Sequence, residues 1–301
     1  MKFTVLEAPI CAGSPTLGSE HAYRILREQG LESRLGSDTE FCDMAPSGRR
    51  GLPYPKELKC LEEVVDVSRT LFGHVRAAML RGRLPISVGG DHSIAIGSIA
   101  AAASVVGAEN LSVIYIDGHT DINTEASSES GFIHGMPLAC AMGLCSDRLT
   151  VGAKVNLYGQ NTFILGARSI DRGEYPIIRE QGVHLYTAEE LLARGAEQVM
   201  DEIIGKIKTP YIHVSFDVDV MDEHEFPSTG YRMPDGLSLE ETRRLLIRAA
   251  ETGRVCSLDC VEYNPELDPT RSDCGKLLSL LGSLGDVLRE QQETEKVSSA
   301  L

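Results

Sequence analysis

The feature that most constrains this chain is an alternation. Short runs rich in β-branched and aromatic residues alternate with longer segments of helical period. Seven runs read as buried strands: Phe3 to Glu7, Leu84 to Val88, Leu111 to Asp117, Thr162 to Gly166, Val183 to Tyr186, Tyr211 to Asp217 and Val255 to Val261. Helices are expected between them, over Ser19 to Gln29, Tyr54 to Arg81, Ser93 to Val105, Tyr175 to Gln181, Ala188 to Lys208, Leu239 to Thr252 and Lys276 to Gln292. Strands that alternate with helices form a parallel sheet with helices on both faces, so the expected fold is a three-layer α/β/α domain with a central, mostly parallel sheet. No linker, repeat or low-complexity tract divides the 301 residues, and one domain over 1–301 is expected. Asp38 to Pro55 and Ala126 to Gly131 read as polar loops, and residues from about Glu293 onward as a frayed tail.

Charge narrows the range of partners. Lys and Arg number 29 against 44 Asp and Glu, a formal net charge of −15. Nucleic-acid phosphates and anionic membrane surfaces are repelled on average, and a cationic small molecule is drawn in. No long apolar run marks a signal peptide or a membrane span, which sets the expectation of a cytoplasmic protein. Eight cysteines are scattered without a CxxC pair and read as reduced thiols.

Three clusters of metal-ligand residue types lie just past the expected C-terminal ends of strands, where an open parallel sheet forms its ligand crevice. They are Gly89-Gly90-Asp91-His92-Ser93, Asp117-Gly118-His119-Thr120-Asp121 and Asp217-Val218-Asp219. Residues two apart in extended chain point to the same side, so Asp117, His119 and Asp121 can converge, and Asp217 with Asp219 can meet them from a neighbouring strand. Taken singly, a DxD is a solvated turn and a lone His such as His92 a core residue. Together, the carboxylates and the two imidazoles exceed what one tetrahedral zinc uses, and they suit two divalent ions bridged by shared aspartates. Oxygen-rich ligation without thiolate favours manganese. His21, His74, His184, His213 and His224 lack such neighbours and read as structural.

The ordered motifs GGDHS, DGHTDIN, SGFIHGMP, SFDVD and VEYNP resemble those of arginases and their ureohydrolase relatives, from near residue 4 to about residue 285. The resemblance implies a manganese-dependent enzyme that splits a guanidinium group and releases urea, with arginase activity (L-arginine to L-ornithine) as the primary expectation. It implies two Mn2+ per chain, one held by His92, Asp117, Asp121 and Asp217, the other by Asp117, His119, Asp217 and Asp219, with a hydroxide between them. Asp121 is counted with the catalytic groups as well as the ligands. Glu262 corresponds to the carboxylate that pairs with the guanidinium, and His134 to the proton-shuttling histidine. Asp171 and Glu174 correspond to positions that recognise the α-amino group of arginine, and Asn123 and Ser130 to positions near its α-carboxylate. Three positions depart from the arginase pattern: Phe132 stands for the usual Asn, Tyr231 for the usual Thr and Gly118 for the usual Ala. The resemblance implies a homotrimer or homohexamer, although the Arg that supports the arginase trimer is here Glu240. Alternatives remain at this stage: an amidinohydrolase acting on agmatine, a guanidino acid or a hydroxyguanidine, a single-zinc deacetylase of related fold, and a homologue without catalysis.

Overall fold

The computed structural model describes residues 2–45, 58–152 and 156–299, with side chains described as far as residue 291. The strands are β1 (Phe3–Glu7), β2 (Glu40–Cys42), β3 (Leu84–Val88), β4 (Leu111–Ile116), β5 (Thr162–Ala167), β6 (His184–Thr187), β7 (Tyr211–Asp217) and β8 (Val255–Val261). They form one sheet in the order β2-β1-β3-β8-β7-β4-β5-β6, and every pairing is parallel. The helices are α1 (Ala22–Glu28), α2 (Leu31–Leu35), α3 (Leu61–Leu80), α4 (Ala95–Val106), α5 (Pro137–Ala141), α6 (Glu174–Gln181), α7 (Ala188–Arg194), α8 (Ala196–Lys206), α9 (Leu239–Glu251) and α10 (Ser272–Ser299).

Both faces of the sheet are covered, which is why its central strands are buried along their length. One face packs Phe3, Ile86, Ile116, Val214 and Phe216 against Leu26 of α1, Leu35 of α2, Met200 of α8, Leu245 of α9 and Leu277 of α10. The other packs Leu6, Val113 and Tyr115 against Leu71 of α3, Ile99 of α4 and Leu138 of α5. On this second face α3 and α4 approach closely at Gly97, where a Cβ would lie 2.3 Å from the Ser68 carbonyl oxygen.

All seven expected strands are present, and the differences lie elsewhere. β2 falls inside the expected Asp38 to Pro55 loop, whose residues 46–55 lie outside the described ones. Three half-exposed residues on a sheet edge leave too short an alternation to read. The expected helix Ala188 to Lys208 is two helices, because Gly195 adopts φ 90° and breaks the hydrogen-bond ladder between α7 and α8. α3 begins at Leu61, and residues 54–57 of the expected helix lie outside the described ones. α10 starts at Ser272 and stays helical to Ser299, through the segment expected to fray, which contains neither Gly nor Pro. The short helices α2 and α5 were too brief to show a period. None of the eight cysteines is joined in a disulfide.

Candidate metal centre

The four middle strands of the sheet, β3-β8-β7-β4, end side by side, and each supplies part of one site. After β3 the chain turns sharply through Gly89 and Gly90, both at positive φ. A Cβ on Gly90 would sit 2.5 Å from the Ala8 carbonyl oxygen, so no larger residue fits that turn. Asp91 stabilises it by accepting hydrogen bonds from Gly13 N at 2.8 Å and Ser93 N at 3.0 Å. These contacts deliver His92 into the crevice, where its backbone N–H donates to Glu262 Oε1 at 3.0 Å.

β4 delivers Asp117 and β7 delivers Asp217 in the same way. Each carboxylate accepts from the backbone two residues on, Asp117 Oδ1 from His119 N at 2.6 Å and Asp217 Oδ1 from Asp219 N at 2.7 Å. Asp219 Oδ1 in turn accepts from Gly118 N at 2.9 Å, which ties the two strand ends together. Gly118 is confined by its surroundings, since a Cβ there would meet Arg168 Nη1, Asp219 Oδ1 and the Met233 side chain at 2.9 Å. Arg168 occupies the adjoining space and binds the carbonyls of Asp219, Val220 and Met221.

His92 Nδ1 lies 2.9 Å from Asp117 Oδ2, 3.1 Å from Asp217 Oδ2 and 3.3 Å from Asp121 Oδ2. His119 Nδ1 lies 3.0 Å from Asp219 Oδ2 and 3.5 Å from Asp117 Oδ1. Two ligand groups result, His92/Asp117/Asp217 and Asp117/His119/Asp219, each with its ligand atoms within 4.8 Å of one another. Asp117 belongs to both. Asp121 joins the first through His92, and its Oδ2 accepts from Tyr115 Oη at 2.8 Å.

These residues fit a bound cation. His92 Nδ1 and Asp117 Oδ2 are buried, face each other and have no hydrogen-bond partner. Burial and the neighbouring Asp117 push the Asp121 carboxyl up to about 8. Burial and the charges of Asp219 and Asp117 raise Asp217 far above the usual carboxylate range, and burial raises Asp219 too. The protein alone thus does not hold four carboxylates ionised here, whereas divalent cations would.

Glu262, at the end of β8, and Asp121 are non-glycine residues at positive φ, 64° and 44°. Such strain is characteristic of functional positions. His134 Nδ1 is 3.4 Å from Glu262 Oε1. Burial lowers the His134 pKa, but the Glu262 carboxylate outweighs it and the net shift is upward. Asn123 Nδ2 donates to Asp171 Oδ2 at 2.9 Å, and Asp171 is exposed. Glu174 is buried, and its two oxygens accept from the backbone N–H groups of Ile122 and Asp171. Its geometry therefore makes it a brace for that loop. Ser130 is exposed and accepts from Phe132 N at 3.2 Å.

Sequence reasoning missed the support beneath His92. The ring stacks on Tyr115 with centroids 4.4 Å apart, and Nε2 is 2.9 Å from Ser215 Oγ. Ser215 is 3.5 Å from Asp259 Oδ2, which also accepts from Ser98 Oγ and lies 3.1 Å from His213 Nε2. Burial raises the Asp259 pKa, but His213 and the hydroxyl donors outweigh it and hold the carboxyl below its ordinary range. His213 is thus structural, as expected, but within a buried network that leads to a metal-ligand candidate. The one available signal was that His213 and Ser215 share a face of a strand whose opposite face is Ile212, Val214 and Phe216. Also missed was the contact of Tyr231 with His134: its Oη is 3.4 Å from His134 Nε2, and burial and Glu262 push its pKa up to about 12.

Comparison with known proteins agrees with this geometry. A family model described as "Arginase family" matches residues 1–279. The chain is 40% identical over 291 residues to an arginase of Brevibacillus brevis, covering 86% of this chain and 97% of the relative. Among solved structures, arginase from Bacillus caldovelox superposes with a TM-score of 0.88 at 32% identity, covering 94% of this chain and 98% of that one. Arginase from Bacillus cereus gives 0.87 at 32% identity, covering 95% and 98%. A family match over almost the whole chain, together with a relative at this identity, leaves one conclusion: the chain belongs to the arginase family.

Proposed function

We propose that the chain is a two-metal guanidine hydrolase whose reaction is the hydrolysis of L-arginine to L-ornithine and urea. The observation that carries this reading is the pair of ligand groups sharing Asp117, built from carboxylates and imidazoles without thiolate. That donor set suits manganese. His92, Asp117, Asp121 and Asp217 would hold one ion, and Asp117, His119, Asp217 and Asp219 the other. Two such ions, when bound, supply Lewis acidity and make water a stronger nucleophile at neutral pH.

The remaining work falls to the chain's own side chains. Glu262 Oε1 is held by the His92 N–H, which aims the carboxylate and leaves Oε2 for a charge-assisted pair with the guanidinium. Such a pair orients the planar guanidinium for attack. His134, beside Glu262, delivers a proton to the departing nitrogen. The oxygen of water bonds to the guanidinium carbon, the C–N bond to the ornithine nitrogen breaks, its electron pair stays on that nitrogen, and the nitrogen takes the proton, which leaves urea. Asp171, with Asn123 fixing it, would meet the α-amino group, and Ser130 would lie toward the α-carboxylate. Glu174 acts through the loop that carries Asp171. The same reading carries a cytoplasmic location and a homotrimer or homohexamer, the assembly being checked by sedimentation.

The test is urea release from arginine, agmatine and guanidino acids by manganese-reconstituted protein, with metal content measured alongside. Turnover of arginine above the other guanidines at close to two metals per chain is expected. A single bound ion, or urea from none of them, would sink the proposal. His134→Asn should lower kcat and leave KM for arginine nearly unchanged. Loss of binding with kcat retained would remove the proton-delivery role.

A second reading, in which another guanidine is preferred, is favoured by one feature. Phe132, which stands 6.1 Å edge-on to His134 where arginases carry Asn, is covered by Lys59 Nζ at 3.8 Å from its ring centroid. An apolar ring in place of an amide removes a hydrogen bond to the substrate carboxylate, at a cost of about 1–3 kcal/mol. Phe132→Asn should therefore raise kcat/KM for arginine by roughly tenfold, about 1.4 kcal/mol, and leave agmatine nearly unchanged. Equal effects on both, or a native preference for agmatine, would favour the second reading.

A further inference from the structure

We infer that Tyr231 is a positioning residue for His134, holding the imidazole through its Nε2 edge so that the Nδ1 edge faces the bound guanidinium. The inference rests on the reading of the site as a guanidine hydrolase and concerns a position where this chain departs from the arginase pattern.

Tyr231 is well anchored for such a task. Thr229 forms an antiparallel bridge with Tyr263, directly after Glu262, and Asn264 N donates to the Ser228 carbonyl at 2.8 Å. The loop carrying Tyr231 is therefore tied to the same strand end that carries Glu262. Its ring meets His119 edge-on at 5.4 Å and lies against His134 with centroids 5.3 Å apart at 34°. The hydroxyl reaches to 3.4 Å from His134 Nε2, and Glu262 Oε1 stands 3.4 Å from Nδ1 on the opposite edge. His134 is thus approached at both nitrogens.

The donor and acceptor inventory then assigns the protons. A carboxylate only accepts, so Nδ1 carries the hydrogen that points at Glu262. In the charged ring Nε2 carries a hydrogen too and donates it to the Tyr231 hydroxyl. When Nδ1 gives its proton to the departing nitrogen, the neutral ring keeps the Nε2 hydrogen on the same hydroxyl oxygen. One phenol serves both protonation states without movement of the ring. The Nδ1 edge faces Glu262, and therefore the guanidinium that Glu262 binds, in either state. A Thr at this position would have a hydroxyl too, but its shorter side chain would end well before Nε2 on the same backbone.

The experiment uses the full manganese-loaded chain, arginine and urea release, with kcat and KM determined separately. Tyr231→Phe keeps the ring and its contacts with both histidines and removes only the hydroxyl. It should lower kcat by about tenfold with KM within about twofold, the scale of one lost hydrogen bond. Tyr231→Thr should lose kcat to a similar degree. In the His134→Asn background Tyr231→Phe should cost less than about a further twofold, because residues that act as a unit are not additive. Unchanged kcat in Tyr231→Phe, an effect on KM alone, full kcat in Tyr231→Thr, or an undiminished tenfold loss in the His134→Asn background would each overturn the inference. Failure of the underlying reading is distinct: the wild-type chain would then release no urea, and both would fall.

Discussion

Asp117→Ala should reduce turnover by more than about a thousandfold, on the order of 4 kcal/mol of barrier, and should lower the metal content of the protein at the same time. Asp117 is common to both ligand groups. Its Oδ2 faces His92 at 2.9 Å, and its Oδ1 is 3.5 Å from His119 Nδ1. Removing it takes an anionic ligand from each ion, whereas removing Asp219 or Asp121 takes a ligand from one. The substitution lies at the end of a strand, and the fold is expected to outlast the activity. Urea release at saturating manganese, metal content per chain and the melting temperature check all three statements. Turnover near that of the wild type would show that the two ions are not held as proposed.

Stripping the metals by chelation should lower the melting temperature by roughly ten degrees. A cation that binds only the folded chain at about a thousand times its dissociation constant stabilises it by about 4 kcal/mol. For a chain of this size each kcal/mol moves the melting point by about 2–4 °C. The deficit should also depend on pH in a definite direction. The Asp121 carboxyl, raised to about 8 in the folded chain, binds its proton more tightly folded than unfolded. Its contribution is therefore fully present below the unfolded value, about 3.9, and is lost as pH rises toward 8. The stripped protein should weaken across that interval, and the gap between loaded and stripped melting points should widen from pH 6 to pH 8. Coincident melting curves with and without manganese would mean that the buried carboxylates are stabilised in some other way.

Much of the site was legible because its ligands sit at fixed offsets from apolar runs. Asp117 follows Ile116 and Asp217 follows Phe216, each at the point where a buried strand meets the crevice. His92 and Glu262 are harder cases. They are 170 residues apart in the chain, and only their motifs pointed to the site. Tyr231 read only as a departure from the usual Thr. Its contact with His134 spans 97 residues and depends on the bridge between Thr229 and Tyr263.

The layered parallel architecture, the positions of seven strands and the motifs that carry the metal ligands were readable from the residues alone, because burial on both faces imposes an apolar run and a strand end interrupts it. Tertiary structure alone decided which strand ends are neighbours. The order β3-β8-β7-β4 brings the last strand of the chain between the third and the seventh, so that Glu262 arrives beside His92. It decided that Asp259 and His213 pair beneath His92, and that Glu174 braces a loop. A polar residue's role is set by which donors and acceptors reach it within about 3 Å once water is excluded, and strand pairing across long separations supplies those partners.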